Sequence, residues 1–117
     1  MQNNRSVGTK KEELAADYLE KKGYEVLAKN FRCKYGEIDL IAKDGSYLVF
    51  VEVKYRATSK NGFPQEAVTK SKQKTIVFVA NYYLMKANLG QDIPIRFDVV
   101  AMLGDEITHI ENAFNAI

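Results

Sequence analysis

Four ionisable residues stand close together in the stretch GEIDLIAKDGSYLVFVEVK, from Gly36 to Lys54. Glu37, Asp39, Glu52 and Lys54 interrupt an otherwise apolar pattern, and all lie away from the turn at its middle. Side chains alternate between the faces of a strand, so Glu37, Asp39 and Ile41 share one face of the first half. Leu48, Phe50, Glu52 and Lys54 share a face of the second. Lys43-Asp44-Gly45-Ser46 carries the Asp-Gly signal of a tight hairpin. A two-residue loop at Asp44-Gly45 pairs Lys43 with Ser46 and sets Asp39 diagonal to Glu52, and a four-residue loop sets the two directly opposite. Either even loop gathers Asp39, Glu52 and Lys54 on one side of the sheet, with opposed Cβ atoms about 5 Å apart. Carboxylates that close repel. A raised pKa on one of them relieves the repulsion, and so does a hard divalent cation, Mg²⁺ or Mn²⁺, held between oxygen ligands. Lys54 then stands where it can orient water or offset developing charge. The plainer alternative is a Glu52–Lys54 ion pair at a strand end with Asp39 solvated beside it. Asp is a poor strand former, so its place between Ile38 and Leu40 calls for a reason.

The other candidates lie around this hairpin. Glu12 borders the apolar stripe of a first helix, read from Lys10 to Lys22. Thr9-Lys10-Lys11-Glu12 reads as a capping box, with Glu12 bonding back to the Thr9 amide; the competing reading makes Glu12 a third acid of the site. Lys70, Lys72 and Lys74 open a second helix, where cations oppose the helix dipole and a phosphate would satisfy both. Arg32, Lys34, Arg56 and Lys60 could extend a basic, nucleic-acid-binding surface, though each alone also reads as solubilising charge. Cys33 reads as an ordinary thiol. His109, alone near the C-terminus, gives no metal pattern.

The elements that must position these residues follow from periodicity. Leu14, Ala15, Tyr18 and Leu19 form the stripe of the first helix, which Gly23 ends. Strands are expected at Tyr24–Ala28, Gly36–Ala42 and Tyr47–Tyr55. A second helix runs from Thr69 or Ser71 to about Ala87, on Ile76, Val79, Ala80, Tyr83 and Leu84. Ile93–Met102 is a further strand, and Ile107–Glu111 an edge strand. The order α-β-β-β-α-β predicts an α/β mixed central sheet flanked by helices.

The 117 residues suit one domain, with residues 1–7 as a flexible tail. The net charge is +2, but it is unevenly spread. Between Tyr55 and Lys86 only Glu66 offsets six cations, whereas acids dominate from Asp92 onward. One cysteine excludes an internal disulfide, and no apolar run is long enough to span a membrane or act as a signal peptide. A cytoplasmic location is expected.

Taken in order, Gly36-Glu37-Ile38-Asp39-Leu40-Ile41 and Val49-Phe50-Val51-Glu52-Val53-Lys54 resemble the D…ExK core of the PD-(D/E)xK nuclease superfamily. More closely, the chain resembles the uncharacterised bacterial YraN-like family, which is similar to Holliday-junction resolvases. The likeness extends through Glu12-x-x-Ala15, Asn30-Phe31-Arg32, Phe63-x-x-Glu66-Ala67-Val68, Lys72 and Arg96-Phe97-Asp98-Val99-Val100, from about Gly8 to Met102. Ile38 stands where the superfamily pattern has proline. The resemblance implies a restriction-endonuclease-like fold. It implies Asp39 and Glu52 as metal ligands, Lys54 as the catalytic lysine and Glu12 as an accessory acid. The expected activity is Mg²⁺- or Mn²⁺-dependent hydrolysis of DNA phosphodiesters, with branched DNA as a candidate substrate and the Val53 carbonyl as a further donor. Resolving a junction would call for a homodimer. The alternatives are a non-catalytic nucleic-acid-binding module and a protein-interaction domain on the same fold.

Overall fold

The computed structural model describes residues 4–90 and 92–116, the first five of these by backbone alone. The elements are α1 (Asn4–Lys21), β1 (Glu25–Cys33), β2 (Gly36–Asp44), β3 (Tyr47–Arg56), a short 3-10 turn (Pro64–Ala67), α2 (Lys70–Lys86), β4 (Ile95–Leu103) and β5 (Glu106–Phe114). The strands form one sheet in the order β1-β2-β3-β4-β5. Three pairings are antiparallel, and β3 and β4 run parallel. A parallel pair needs a crossover, and α2 supplies it. This is the expected α/β architecture, and it is compatible with a restriction-endonuclease-like fold.

Each helix covers one face of the sheet. Ala15, Ala16 and Leu19 of α1 pack on Leu40, Ala42, Val49, Val51, Val100 and Met102. Ile76, Val79, Ala80 and Leu84 of α2 pack on Ile38, Ile41, Leu48, Phe50 and Phe97. Coverage on both faces explains why β4 reads as a nearly unbroken apolar run. No described helix is long and apolar enough to cross a membrane.

Several local expectations give way. Helix α1 begins at Asn4, so Thr9 lies inside it rather than at its cap. Residues 1–3 of the expected tail lie outside the described residues; residues 4–7 are helical. Amides near Thr9 already bond within the helix, so a Thr9–Glu12 capping box has no orphan donor to satisfy. Ala16 takes the buried position expected of Leu14, which is exposed: two adjacent alanines let α1 lie close to the sheet. Strands β1 and β5 are longer than read from the sequence. Thr69 does cap α2, its hydroxyl accepting from the Lys72 amide.

The hairpin turn falls on Gly45-Ser46, with Asp44 paired to Tyr47. Gly45 has φ +60, as the first position of a type II′ turn requires. The resulting register runs through Leu40–Val51 and, continued one step, sets Asp39 directly opposite Glu52. It is the register a four-residue loop would also give. Strict alternation fails at Asp39, however. Ile38 packs with the α2 layer and Leu40 with the α1 layer, so the two are not on one face as expected. The β2–β3 pairing stops at Leu40, and Asn30, across from Asp39 on β1, has φ +54. The strand rotates where β3 lets go, while β1 stays paired to Gly36.

Candidate active site at the parting of two strands

Beyond Leu40–Val51, the strand ladder is replaced by a side chain. The Val53 amide donates to Asp39 Oδ2 at 2.8 Å. The carboxylate thereby takes the place of a backbone acceptor, which explains an aspartate between Ile38 and Leu40. It also holds Asp39 at the seam between the two helix layers, within reach of groups from both.

From the α2 side comes Glu52, only 3% exposed. Its carboxyl lies beside that of Asp39. Burial first, and then the Asp39 carboxyl, push its pKa up to about 9, against a smaller pull from Lys72 and Lys54. Lys72 Nζ lies 3.5 Å from Glu52 Oε2. That oxygen is buried without a hydrogen-bond partner, so the ion pair is long and leaves the group under-satisfied. Lys54 is half-buried on the Glu52 face of β3.

From the α1 side comes Glu12. Its pKa is raised, chiefly by burial and then by the Asp39 charge, and an Asn30 hydrogen bond works against that rise. Glu12 therefore lies near Asp39, inside α1 and not at its cap. Asn30 was not singled out from sequence as a site residue. Its left-handed backbone, which asparagine tolerates better than most residues, turns its amide side chain towards α1; an Asn within an apolar strand was the available signal.

The structure thus brings together Asp39, Glu52, Lys54 and Glu12, and adds Lys72 to them. The remaining basic candidates, all among the described residues, make no ion pair with Asp39 or Glu52, although Arg32 acts on Glu12 through its charge. Arg32 is committed to Glu37 at 2.8 Å. Arg56 donates to the Asn61 carbonyl. Lys70 and Lys74 are exposed on α2. Among the described residues, no three His, Cys, Asp or Glu side chains are already gathered as a metal cage. Two converging carboxylates, one with an orphaned buried oxygen, nevertheless match the one or two acids that Mg²⁺ takes alongside water and phosphate.

A second polar cluster lies on the α1 face, near the start of β4. Asp98 is fully buried. It accepts from Arg96 Nε at 2.9 Å, Arg96 NH2 at 3.0 Å and the Asn112 amide at 3.0 Å. His109 Nε2 lies 2.7 Å from its Oδ2. Burial raises the Asp98 pKa, but these partners, His109 foremost, outweigh it and hold the carboxyl below its ordinary range. Arg96 also donates to Asp44 and to the Tyr24 hydroxyl, which donates to Glu111. His109, isolated in sequence, is thus part of a network that joins β2, β4 and β5 to Tyr24, just before β1.

An α/β sheet of this topology, with acids at the seam of a hairpin, defines a class compatible with restriction-endonuclease-like proteins. Within it, the chain belongs to the uncharacterised protein family UPF0102, the YraN-like family, whose profile matches residues 11–102. A UPF0102 protein of Lachnoclostridium phytofermentans is 52% identical over 97% of both chains. Another, from Thermodesulfovibrio yellowstonii, is 48% identical over 92% of this chain and 95% of its own. A third, from Clostridioides difficile, is 48% identical over 96% and 99%.

Proposed function

We propose that this protein is a Mg²⁺- or Mn²⁺-dependent DNA endonuclease that hydrolyses phosphodiester bonds, with branched DNA as its substrate. The observation that carries this reading is the Glu52 carboxyl, buried against Asp39 with its Oε2 unbonded. A structural ion pair would be expected to satisfy that oxygen; a ligand site leaves it for the ligand.

Asp39 and Glu52 would hold the cation. When bound, it supplies positive charge at the phosphoryl oxygens and lowers the pKa of a water. The chain's own groups do the rest. The Val53 amide fixes Asp39 by one oxygen, so the carboxylate is oriented before any ligand arrives. Glu52 must ionise to bind a cation, and Lys72 and Lys54 both favour the ionised form. Lys54 stands on the Glu52 face of β3, where its ammonium can orient the attacking water or offset charge building on the phosphate. Glu12 adds a third acid from α1, placed to accept a proton or a water-mediated bond. Two cuts across a four-way junction would come from two copies of the chain.

Incubation with linear, flapped and four-way DNAs in Mn²⁺ tests this. Cleavage should vanish in Asp39→Ala and Glu52→Ala while DNA binding persists. Cleavage surviving in Glu52→Ala would place the activity elsewhere. Binding with no cutting by the wild type in any metal would leave a nucleic-acid-binding module.

A further inference from the structure

On α2, Lys70, Lys74, Phe78 and Tyr82 fall four residues apart and so lie along one stripe of the helix. Its first half is basic and its second aromatic. Phe78 is 55% exposed, unusual for a phenylalanine on a helix that already buries a separate face. Tyr35, in the turn between β1 and β2, packs on Phe78 with ring centroids 4.6 Å apart and the rings tilted by 58°, and it meets Tyr82 edge to face. Lys34 Nζ lies 5.1 Å over the Tyr35 ring. Tyr35, Lys74, Thr75 and Phe78 line an open hollow of about 280 Å³. The patch is therefore an aromatic shelf edged by cations.

Its position relative to the candidate site is fixed at two points. Lys72, one turn before Thr75 on α2, reaches Glu52. Tyr35 immediately precedes Gly36, where β2 sets out towards Asp39. Gly36 itself lies so close to α2 that an added Cβ would meet Thr75 Cγ2 at 2.9 Å. Shelf and acids thus adjoin along α2 and the first residues of β2.

We propose that this shelf is a stacking platform for unpaired bases of a DNA strand leading to or from the Asp39–Glu52 site. The chemistry is that of non-specific single-strand binders. Aromatic faces take bases whatever their identity, and flanking lysines take the phosphates between them. Paired bases, stacked inside a duplex, cannot use exposed rings this way. The shelf would therefore make the protein prefer DNA with unpaired nucleotides beside the scissile bond, as in flaps, tails and opened branch points. The charge favours this occupant over an apolar partner, since Lys34, Lys70 and Lys74 edge the rings. The inference rests on the nucleic-acid reading above and specifies the substrate that reading leaves broad.

The chain has no tryptophan, so Phe78→Trp installs a single indole reporter on the shelf. Titration with an oligothymidine, in EDTA to exclude cutting, should quench its emission, while a duplex of equal length should leave it nearly unchanged. Tyr35→Ala with Phe78→Ala should weaken binding to the single strand by roughly 5- to 150-fold, the range expected for losing base–aromatic stacking. Binding to duplex should change less than twofold. Lys74→Ala should flatten the salt dependence of single-strand binding. An unquenched indole, or equal losses on both DNAs, overturns the proposal. So does emission that follows protein concentration alone, with the double variant turning from dimer to monomer in sedimentation, because the shelf would then bind a second copy. Quenching needs no catalysis, so the two readings fail separately. Quenching without cleavage sinks only the nuclease, and cleavage without quenching sinks only the platform.

Discussion

Glu52 is the residue on which pH acts most directly. Folded, its carboxyl keeps its proton up to about 9, against an ordinary 4.5. Through that window the folded chain holds a proton that the unfolded chain has lost, so stability falls as pH rises. Glu52→Gln removes the titration and should raise the melting temperature by a few degrees near pH 8, with little effect near pH 4. An equal gain at both pH values in a thermal-shift series would show that the carboxyl is not responsible. The same proton must leave when a cation binds. Calorimetry of Mn²⁺ binding near pH 7, in buffers of different ionisation enthalpy, should show proton release in the wild type and none in Glu52→Gln. Glu12 offers a second test at this scale. As a site acid rather than a helix cap, its change to Gln should alter unfolding free energy by no more than about 0.5 kcal/mol, typical of a substitution away from core and caps. It should weaken Mn²⁺ binding several-fold. A loss of stability with unchanged Mn²⁺ affinity would restore the capping role.

Among the elements, β2 bears the greatest demands. It starts at Gly36, tight against α2, and parts from β3 after Leu40 so that Asp39 can bond to Val53. Gly36 has φ +148, which residues with a Cβ rarely adopt, and the space is closed. Gly36→Ala should therefore cost about 1–3 kcal/mol in urea unfolding. It should also displace α2, and with it Lys72 and the aromatic shelf. Much of this was legible in the sequence. The even parity of the hairpin brought Asp39 and Glu52 together, because side-chain period and loop length are local properties, although the turn sits on Gly45-Ser46, one residue on from the Asp-Gly signal. The loss of alternation at Asp39 was not legible, because it depends on where β3 lets go. The α1 start at Asn4 was hidden by a convincing Thr-x-x-Glu signal and by upstream residues, among them Asn4, Ser6 and Gly8, of low helix propensity. Lys72's place beside Glu52 needed the crossover geometry of α2, which sequence spacing does not encode.

At the scale of the whole molecule, two polar centres do different work on one sheet. The acid pair at the β2–β3 seam is under-satisfied, whereas the Asp98 cluster is saturated with partners. Asp98 ties β4 to β5 and, through Arg96, to Asp44 of β2 and to Tyr24, and its carboxyl is held below the ordinary 3.8. Its stabilisation is thus present above that value and lost as pH falls through the folded pKa. Asp98→Asn would leave Arg96 and His109 facing an uncharged group in the interior. It should destabilise the fold by about 3–5 kcal/mol, read as a lower urea midpoint. A change under about 1 kcal/mol would mean that the network contributes order rather than stability. No sequence pattern announced this cluster. Arg96-Phe97-Asp98 alternates as any strand does, and His109 and Tyr24 join it from opposite ends of the chain.

The register of β4 against β5 shifts between Phe97 and Val99, and there the Asn112 amide turns from the ladder to Asp98, with Asn112 itself at φ +52. The outermost strand is therefore kinked near its end, and its exposed positions include Glu106 and Glu111. A passing chain finds no straight, neutral row of donors and acceptors to extend. One bond that anchors a buried acid thereby also protects this sheet from strand-by-strand aggregation.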